Sequence, residues 1–173
     1  LSPDGTRVLF SAAPVGSFSP SVQVAAADGS GFVTVVSDIF SSYPRYNQIG
    51  THLAFKCGAP GFVNTDVCVV PDVNGALATL VNKGNGAGKI FLTRVLRPLR
   101  GGPSAFAWNP TNANQIATIR DTVIGANTVL RLFISNFDGT GSVFANGIPL
   151  ILGGDSSIVV QEMSWSPNGQ FLV

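Results

Sequence analysis

The chain has 173 residues, a formal net charge of +1, 11% charged residues and 45% hydrophobic residues. A charge so close to zero gives no field that would attract nucleic acid, and apolar runs such as residues 148–152 are far shorter than the ~20 residues of a membrane span. We therefore expect no nucleic-acid partner and no membrane span, but a β-rich domain with its own core, because few charges and 20 glycines indicate close packing and short turns.

One unit recurs four times in chain order. It consists of an aromatic or apolar residue, a polar turn and an apolar run, and its copies begin at Leu1, Tyr46, Trp108 and Trp165. A second mark, an apolar run followed by an Asp-Gly or Asn-Gly turn, lies between these copies at residues 28–29, 74–75 and 138–139. Such turns are strong hairpin signals because both central residues accept positive φ.

The two marks keep the same spacing. Gly5 and Gly50 are 45 residues apart, and Gly29 and Gly75 are 46 apart. The next spacing is longer for both kinds of turn, and a basic, glycine-rich insertion at residues 82–102 lies in this interval. A period near 45 residues with several short strands per unit is typical of β-propeller blades.

The sequence thus predicts an all-β fold of about three four-stranded antiparallel blades, which is a partial or open propeller. The predicted blades cover residues 1–38, 39–102 and 103–158, and a further blade starts at 159–173. The predicted strands are 106–108 and 162–165 before the polar turns; 7–12, 52–57 and 115–121 after them; 22–24, 67–70 and 130–134 before the hairpin turns; and 32–36, 76–81, 142–144 and 148–152 after those.

The turn residues resemble the PD40 repeat of TolB-like, WD40-like propellers. The best matches are Ser2-Pro3-Asp4-Gly5 and Trp165-Ser166-Pro167-Asn168-Gly169, and residues 22–31 and 129–141 match the later half of the repeat. The resemblance implies the fold well and the function poorly. Similar repeats occur in periplasmic scaffold proteins, in propellers of prolyl-oligopeptidase-like peptidases and in surface proteins, so fold alone does not give function.

The number of blades is lower than in a closed propeller, which has about four to eight. The chain enters its first blade after the inner strand and ends within a fourth unit. Either it is a segment of a longer propeller, or separate chains complete one another. In the second case the strand at residues 161–165 supplies the missing inner strand of a neighbour's first blade, which would give a ring or a filament.

Cys57 and Cys68 are predicted to lie on neighbouring antiparallel strands of one blade, within reach of a disulfide. We expect this bond, with two buried free thiols as the alternative. A disulfide implies an oxidising compartment, hence a periplasmic or extracellular location.

Two further groups of residues are candidates for contacts. Tyr46, Trp108 and Trp165 recur at one blade position, which favours packing between blades over ligand stacking. The insertion carries five basic residues, which suit either an anionic partner or a solvated loop: Lys83, Lys89, Arg94, Arg97 and Arg100.

The sequence offers no catalytic, cofactor or metal constellation. His52 is the only histidine and is expected on a strand surface, and the dispersed aspartates, Asp4, Asp28, Asp72 and Asp138, suit turn hydrogen bonds. We expect a non-enzymatic scaffold that binds a protein partner or copies of itself, without a cofactor. The alternatives are the non-catalytic propeller segment of a prolyl-oligopeptidase-like peptidase and a carbohydrate-binding propeller.

Overall fold

The structure is a computed structural model of the whole chain. It describes residues 1–13, 15–16, 20–36, 40–58, 66–72, 90–91, 105–124, 127–138, 140–141, 143–144 and 162–173. The predicted strands at 76–81 and 148–152, the turn at 74–75 and the five basic residues of the insertion lie outside these residues.

The described residues form eleven strands: β1 (Arg7–Ala12), β2 (Ser21–Ala26), β3 (Val33–Val36), β4 (Phe40–Tyr46), β5 (His52–Gly58), β6 (Asp66–Pro71), β7 (Ile90–Phe91), β8 (Phe106–Trp108), β9 (Gln115–Ile124), β10 (Asn127–Asn136) and β11 (Val143–Phe144). No helix in this part of the chain is long and apolar enough to cross a membrane.

The strands form three antiparallel sheets of consecutive neighbours. Sheet 1 is β1-β2-β3, sheet 2 is β4-β5-β6-β7 and sheet 3 is β8-β9-β10-β11. This arrangement confirms the predicted all-β class of partial propeller blades. Residues 162–173, here called the terminal unit, contain a single bridge between Trp165 and Leu172 instead of the predicted strand at 162–165.

Sheet 2 differs from its prediction at both edges. Its first strand, β4, carries an irregularity between Ser42 and Arg45 opposite β5, where one extra residue interrupts the pairing. Its last strand, β7, lies within the predicted insertion and pairs with Cys68 and Val69 of β6. Part of the insertion is therefore an edge strand, and Pro44 within β4 explains why the sequence pattern did not mark that strand.

Sheet 2 is buried on both faces because its side chains alternate. Leu53, Phe55 and Cys57 of β5 pack against Val22 and other residues of sheet 1. The intervening Ala54 faces the other way, in a cluster shared with sheet 3 that includes Ile116, Phe106 and Trp108. This period-2 alternation places an apolar layer between each sheet and the next.

The polar turn has the same hydrogen bonds in several units. Ser2, Asn47 and Ser166 each accept, through their side-chain oxygen, the backbone N–H five residues later. Each also donates its own backbone N–H to the carbonyl of that later residue, over 2.7–2.9 Å. The glycine of this turn has a positive φ, 73° at Gly5 and 68° at Gly169, so a residue without Cβ is favoured there.

The predicted disulfide between Cys57 and Cys68 is present, with 5.9 Å between the two Cα atoms. Cys57 lies opposite Asp66 and Cys68 opposite Phe55, so the bond crosses β5 and β6 diagonally. Both cysteines belong to the apolar layer between sheets 1 and 2. The bond therefore ties the two central strands of sheet 2 within a buried contact.

Replacing both cysteines with alanine (Cys57→Ala, Cys68→Ala) is expected to lower the free energy of unfolding by about 3 kcal/mol, since the bond closes a short loop in the unfolded chain. Urea unfolding of the two proteins measures the difference. Two alkylatable thiols in the untreated parent protein would contradict the bond itself.

Candidate functional site

The predicted packing aromatics form a repeated contact from one unit to the preceding one. Trp108 Nε1 donates to the backbone oxygen of Arg45 over 3.2 Å, and Trp165 Nε1 donates to the oxygen of Ala107 over 3.1 Å. In both cases the acceptor is the residue just before the aromatic position of the preceding unit, Tyr46 or Trp108. Each indole therefore binds its neighbour through the main chain.

Tyr46 occupies the same position in the first complete unit, but its contact differs. Its hydroxyl is buried and has no hydrogen-bond partner among the described residues. Burial, together with the nearby Asp72 carboxylate, raises the pKa of Tyr46 to about 12. The Arg7 guanidinium lies 5.5 Å from the centre of the Tyr46 ring. The carbonyl equivalent to those of Arg45 and Ala107 would belong to a strand paired with β1.

A second position also links neighbouring sheets, with different chemistry in each pair. Arg7 of sheet 1 binds Asp72, which follows β6, through contacts of 3.0 and 2.7 Å, and the Asp72 side chain is fully buried. At the equivalent place between sheets 2 and 3, the rings of His52 and Phe137 lie 4.1 Å apart. The equivalence follows from one recurring backbone bond: Ala27 N to Thr6 O, Asp72 N to Thr51 O and Phe137 N to Asn114 O.

Three of the four aspartates have the expected turn role, and one does not. Asp4, Asp28 and Asp138 each accept the backbone N–H two residues later. Asp72 instead pairs with Arg7, so the expectation for Asp72 was wrong: its carboxylate lies at a sheet-to-sheet contact. His52 is likewise half-buried against Phe137, not simply on a strand surface.

Among the described residues, no strand pairs with β1 on the side away from β2, and we call this side the open edge of β1. Sheets 2 and 3 have β4 and β8 at this position. Thr6 O bonds Ala27 near β2, and Arg7 O bonds Ser2 on the opposite side. Because backbone groups alternate along a strand, the N–H and C=O of Leu9 and Ser11 also face the open side.

The terminal unit is a turn followed by a very short pairing. Ser164 and Val173 exchange two backbone hydrogen bonds of 2.9 and 2.8 Å. Leu172 and its neighbours thus occupy the place that β9 takes beside β8. Phe171 and Val173 are 67% and 88% exposed, so this pairing buries little apolar surface.

A cleft of about 220 Å³ opens beside the first strands, and we call it the first-strand cleft. Seven residues line it: Tyr43, Arg45, Lys56, Phe106, Glu162, Met163 and Ser164. They come from sheet 2, from β8 and from the terminal unit, so three successive units contribute. None of these residues was predicted to line a binding site, although Glu162, Met163 and Ser164 belong to the predicted donor strand at 161–165.

The cleft combines a strained backbone with a buried cation. Tyr43 has a φ of 53° in the irregular part of β4, and its ring lies 4.3 Å from Lys56 Nζ. Lys56 is only 3% exposed although β5 presents it on a sheet face. Burial lowers the pKa of Lys56, while the Glu162 carboxylate acts in the opposite direction. A lysine within an otherwise apolar strand, Phe55-Lys56-Cys57, was the signal that sequence reasoning missed.

The described residues contain no group of three or more side chains suited to hold a metal ion. The structure brings Tyr46 and Trp108 into the layers between sheets and leaves Cys57 and Cys68 joined. The candidate basic residues of the insertion lie outside the described residues.

No protein-family model and no curated protein matches the chain. Among solved structures, the chain is similar to the crystal structure of TolB from Acinetobacter baumannii, with 18% sequence identity and a TM-score of 0.48. The similarity covers 80% of this chain and 29% of TolB, so the chain spans less than a third of that protein's length. The fold assignment rests on the three sheets themselves, and the PD40 likeness remains one of turn residues.

Replacing Arg7 alone (Arg7→Ala) is expected to lower the free energy of unfolding by about 2–4 kcal/mol, because the Asp72 carboxylate stays buried without its cation.

The double change Arg7→His, Asp72→Phe places the residue types of the His52–Phe137 contact between sheets 1 and 2. We expect this double variant to be more stable than Asp72→Phe or Arg7→His alone. Urea unfolding of all variants tests it, and strictly additive effects would contradict the equivalence of the two contacts.

The single histidine is expected to titrate below its ordinary pKa of 6.5, because burial against Phe137 disfavours its charged form. A pKa lowered by folding means that stability is full above about 6.5 and falls as the pH drops below the unfolded value. NMR titration of the His52 ring measures the pKa. Phe137→Ala should move it back towards 6.5, and an unchanged pKa in that variant would contradict burial as the cause.

Proposed function

We propose that this chain is a non-enzymatic, protein-binding scaffold of TolB-like propeller blades that also binds copies of itself by strand completion. The open edge of β1 is the observation that supports this most directly. A strand from another chain would pair there and make sheet 1 four-stranded like sheets 2 and 3. Main-chain hydrogen bonds along an exposed edge are a recurrent basis of protein association.

The complete sheets indicate what the added strand would contact. In sheet 3, Ile119 N donates to the Ala105 oxygen beside β8 over 3.0 Å. Ser11 holds the equivalent position in β1, and its N–H faces the open side. The added strand would also present a carbonyl to the buried Tyr46 hydroxyl, as Arg45 and Ala107 do for the two tryptophans.

The terminal unit of a second copy is the donor that we propose. Within its own unit, its segment 162–165 pairs with residues 171–173 over a short length, and Trp165 Nε1 also donates to the Ala107 oxygen of sheet 3, whereas β1 offers six residues already fixed in a sheet. Exchange would therefore replace a weak pairing with a longer one. This contact would cover exposed apolar residues on both partners: Leu1 beside sheet 1 of one copy, and Phe171 and Val173 in the terminal unit of the other.

An oxidising location, periplasmic or extracellular, is part of the proposal. The buried Cys57–Cys68 disulfide supports it, because such bonds persist in oxidising compartments and are rare in the cytosol. Intact mass, measured with and without reductant on the natural protein from periplasmic and cytosolic fractions, shows which fraction contains the protein and whether the disulfide is formed there.

Ser11→Pro is expected to abolish concentration-dependent self-association. Proline removes the outward N–H of β1 and is tolerated at an edge that does not use this group within its own sheet. Sedimentation velocity over a range of protein concentrations measures the effect. Ser11→Ala is the matched control, because it keeps the N–H and should associate like the parent.

A second variant tests the donor. A chain shortened by residues 171–173 lacks the internal competitor for the segment 162–165, so it should associate more strongly than the parent. A parent chain that is monomeric at all concentrations, or a Ser11→Pro chain that associates like Ser11→Ala, would overturn strand completion.

The peptidase alternative has no supporting contact of its own among the described residues. It predicts a Gly-x-Ser-x-Gly hydrolase domain in the same open reading frame, which sequencing the parent gene tests directly.

A further inference from the structure

The loop between β1 and β2, residues 13–20, carries the most exposed large apolar side chain among the described residues. Val15 is 108% exposed, and its neighbours Ala13 and Gly16 are exposed as well. Neither Val15 nor Gly16 makes a hydrogen bond with another described residue. Exposed loop tips of this kind are preferred sites of proteolytic cleavage.

The residue types of this loop indicate which class of protease would recognise it. Residues 12–14, Ala-Ala-Pro, precede Val15, so this side of the loop is small and apolar. Serine proteases select a substrate by the side chain just before the scissile bond, which enters their S1 pocket. The short, branched side chain of Val15 fits a small apolar pocket. Since no charged residue lies between Arg7 and Asp28, a protease that selects basic residues has no site here.

The polar turn of the second unit provides an internal comparison. Ile49 is also an exposed aliphatic residue, at 60%, and it also precedes a glycine of positive φ, Gly50. Hydrogen bonds close that turn, however: Gly50 N donates to the Asn47 oxygen over 3.1 Å, and the Asn47 side chain accepts the next two backbone N–H groups. A protease binds its substrate as an extended strand, so these bonds would have to break before cleavage at Ile49.

We propose that the Val15–Gly16 peptide bond is a cleavage site for a serine protease with a small apolar S1 pocket. Hydrolysis breaks the bond between the Val15 carbonyl carbon and the Gly16 nitrogen. Water supplies the hydroxyl group of the new carboxylic acid and the proton of the new amine. The site goes beyond the proposed scaffold function and does not rest on it, because the loop contributes no residue to the open edge of β1 or to the terminal unit.

Cleavage would remove the covalent link between β1 and β2 and leave their contacts in place. Residues 1–15 keep six register pairs with β2 and the Arg7–Asp72 ion pair. Leu9 also packs against the apolar layer between sheets 1 and 2. We therefore expect fragment 1–15 to elute with fragment 16–173 in size-exclusion chromatography in buffer and to separate from it in urea.

Pancreatic elastase, which has a small S1 pocket, is the probe for recognition. Brief digestion of the folded chain should cut after Val15 and leave the bond after Ile49 intact, as peptide masses show. Val15→Ala should be cut like the parent. Val15→Asp should be cut about a hundredfold more slowly or less, because a carboxylate loses its hydration in an apolar pocket. A parent chain that stays intact after Val15, or a Val15→Asp chain cut like the parent, would overturn the site.

Trypsin tests the accessibility of the loop separately. Val15→Lys and Ile49→Lys place the same basic side chain at two exposed positions, each before a glycine. Trypsin should cut Val15→Lys after residue 15 at least about tenfold faster than it cuts Ile49→Lys after residue 49, because opening the second turn breaks hydrogen bonds. Equal rates at the two positions, or no cut after residue 15, would overturn the loop as the site.

These readouts are separate from those of strand completion. Digestion is carried out at a protein concentration at which the parent sediments as a monomer, so that association does not shield the loop. A chain that is cut after Val15 but never associates would remove strand completion and leave the cleavage site. A chain that associates but is not cut there would do the reverse.

Discussion

The structure depends on the two-faced burial of sheet 2. Strand β5 carries Leu53 and Phe55 on one face and Ala54 on the other, and none of the three is exposed to solvent. A sheet with apolar residues on both faces needs a neighbour on each side, because every exposed apolar face costs free energy in proportion to its area. Sheets 1 and 3 supply these neighbours, one on each face of sheet 2.

This constraint gives a physical meaning to the contacts between units. The Arg7–Asp72 ion pair, with its buried carboxylate, and the tilted pair of His52 and Phe137 rings occupy the same place in successive pairs of sheets. One geometry therefore tolerates an ion pair or an aromatic contact, provided that the buried groups satisfy one another. The common element is the backbone bond beside each contact, which fixes where the two side chains meet.

The sequence predicted the repeated elements well because each is local. The polar turn at Ser2-Pro3-Asp4-Gly5 and the hairpin before Gly29 depend on a few adjacent residues, so their residue types identify them. The strands after these turns agree with the structure within a few residues. The disulfide also followed, because placing Cys57 and Cys68 on adjacent strands of one sheet brings them close.

The candidate cleft could not be predicted in the same way. Tyr43 meets Lys56 only because a bulge shifts the register of β4, and no pattern of period 2 encodes an irregularity of one residue. Likewise, Asp72 resembles a turn aspartate in sequence, and its partner Arg7 is 65 residues away. Both features arise from the relative placement of sheets, which the residues of one sheet alone do not specify.

The indole contacts have a consequence for how such chains vary over evolution. Trp108 and Trp165 donate to main-chain oxygens, and every residue type possesses such an oxygen. The acceptor unit can therefore change its side chains without losing the bond, and no matching substitution is needed in the next unit. Gene duplication or recombination that adds, removes or exchanges a whole unit would preserve this connection, so the number of units is free to drift.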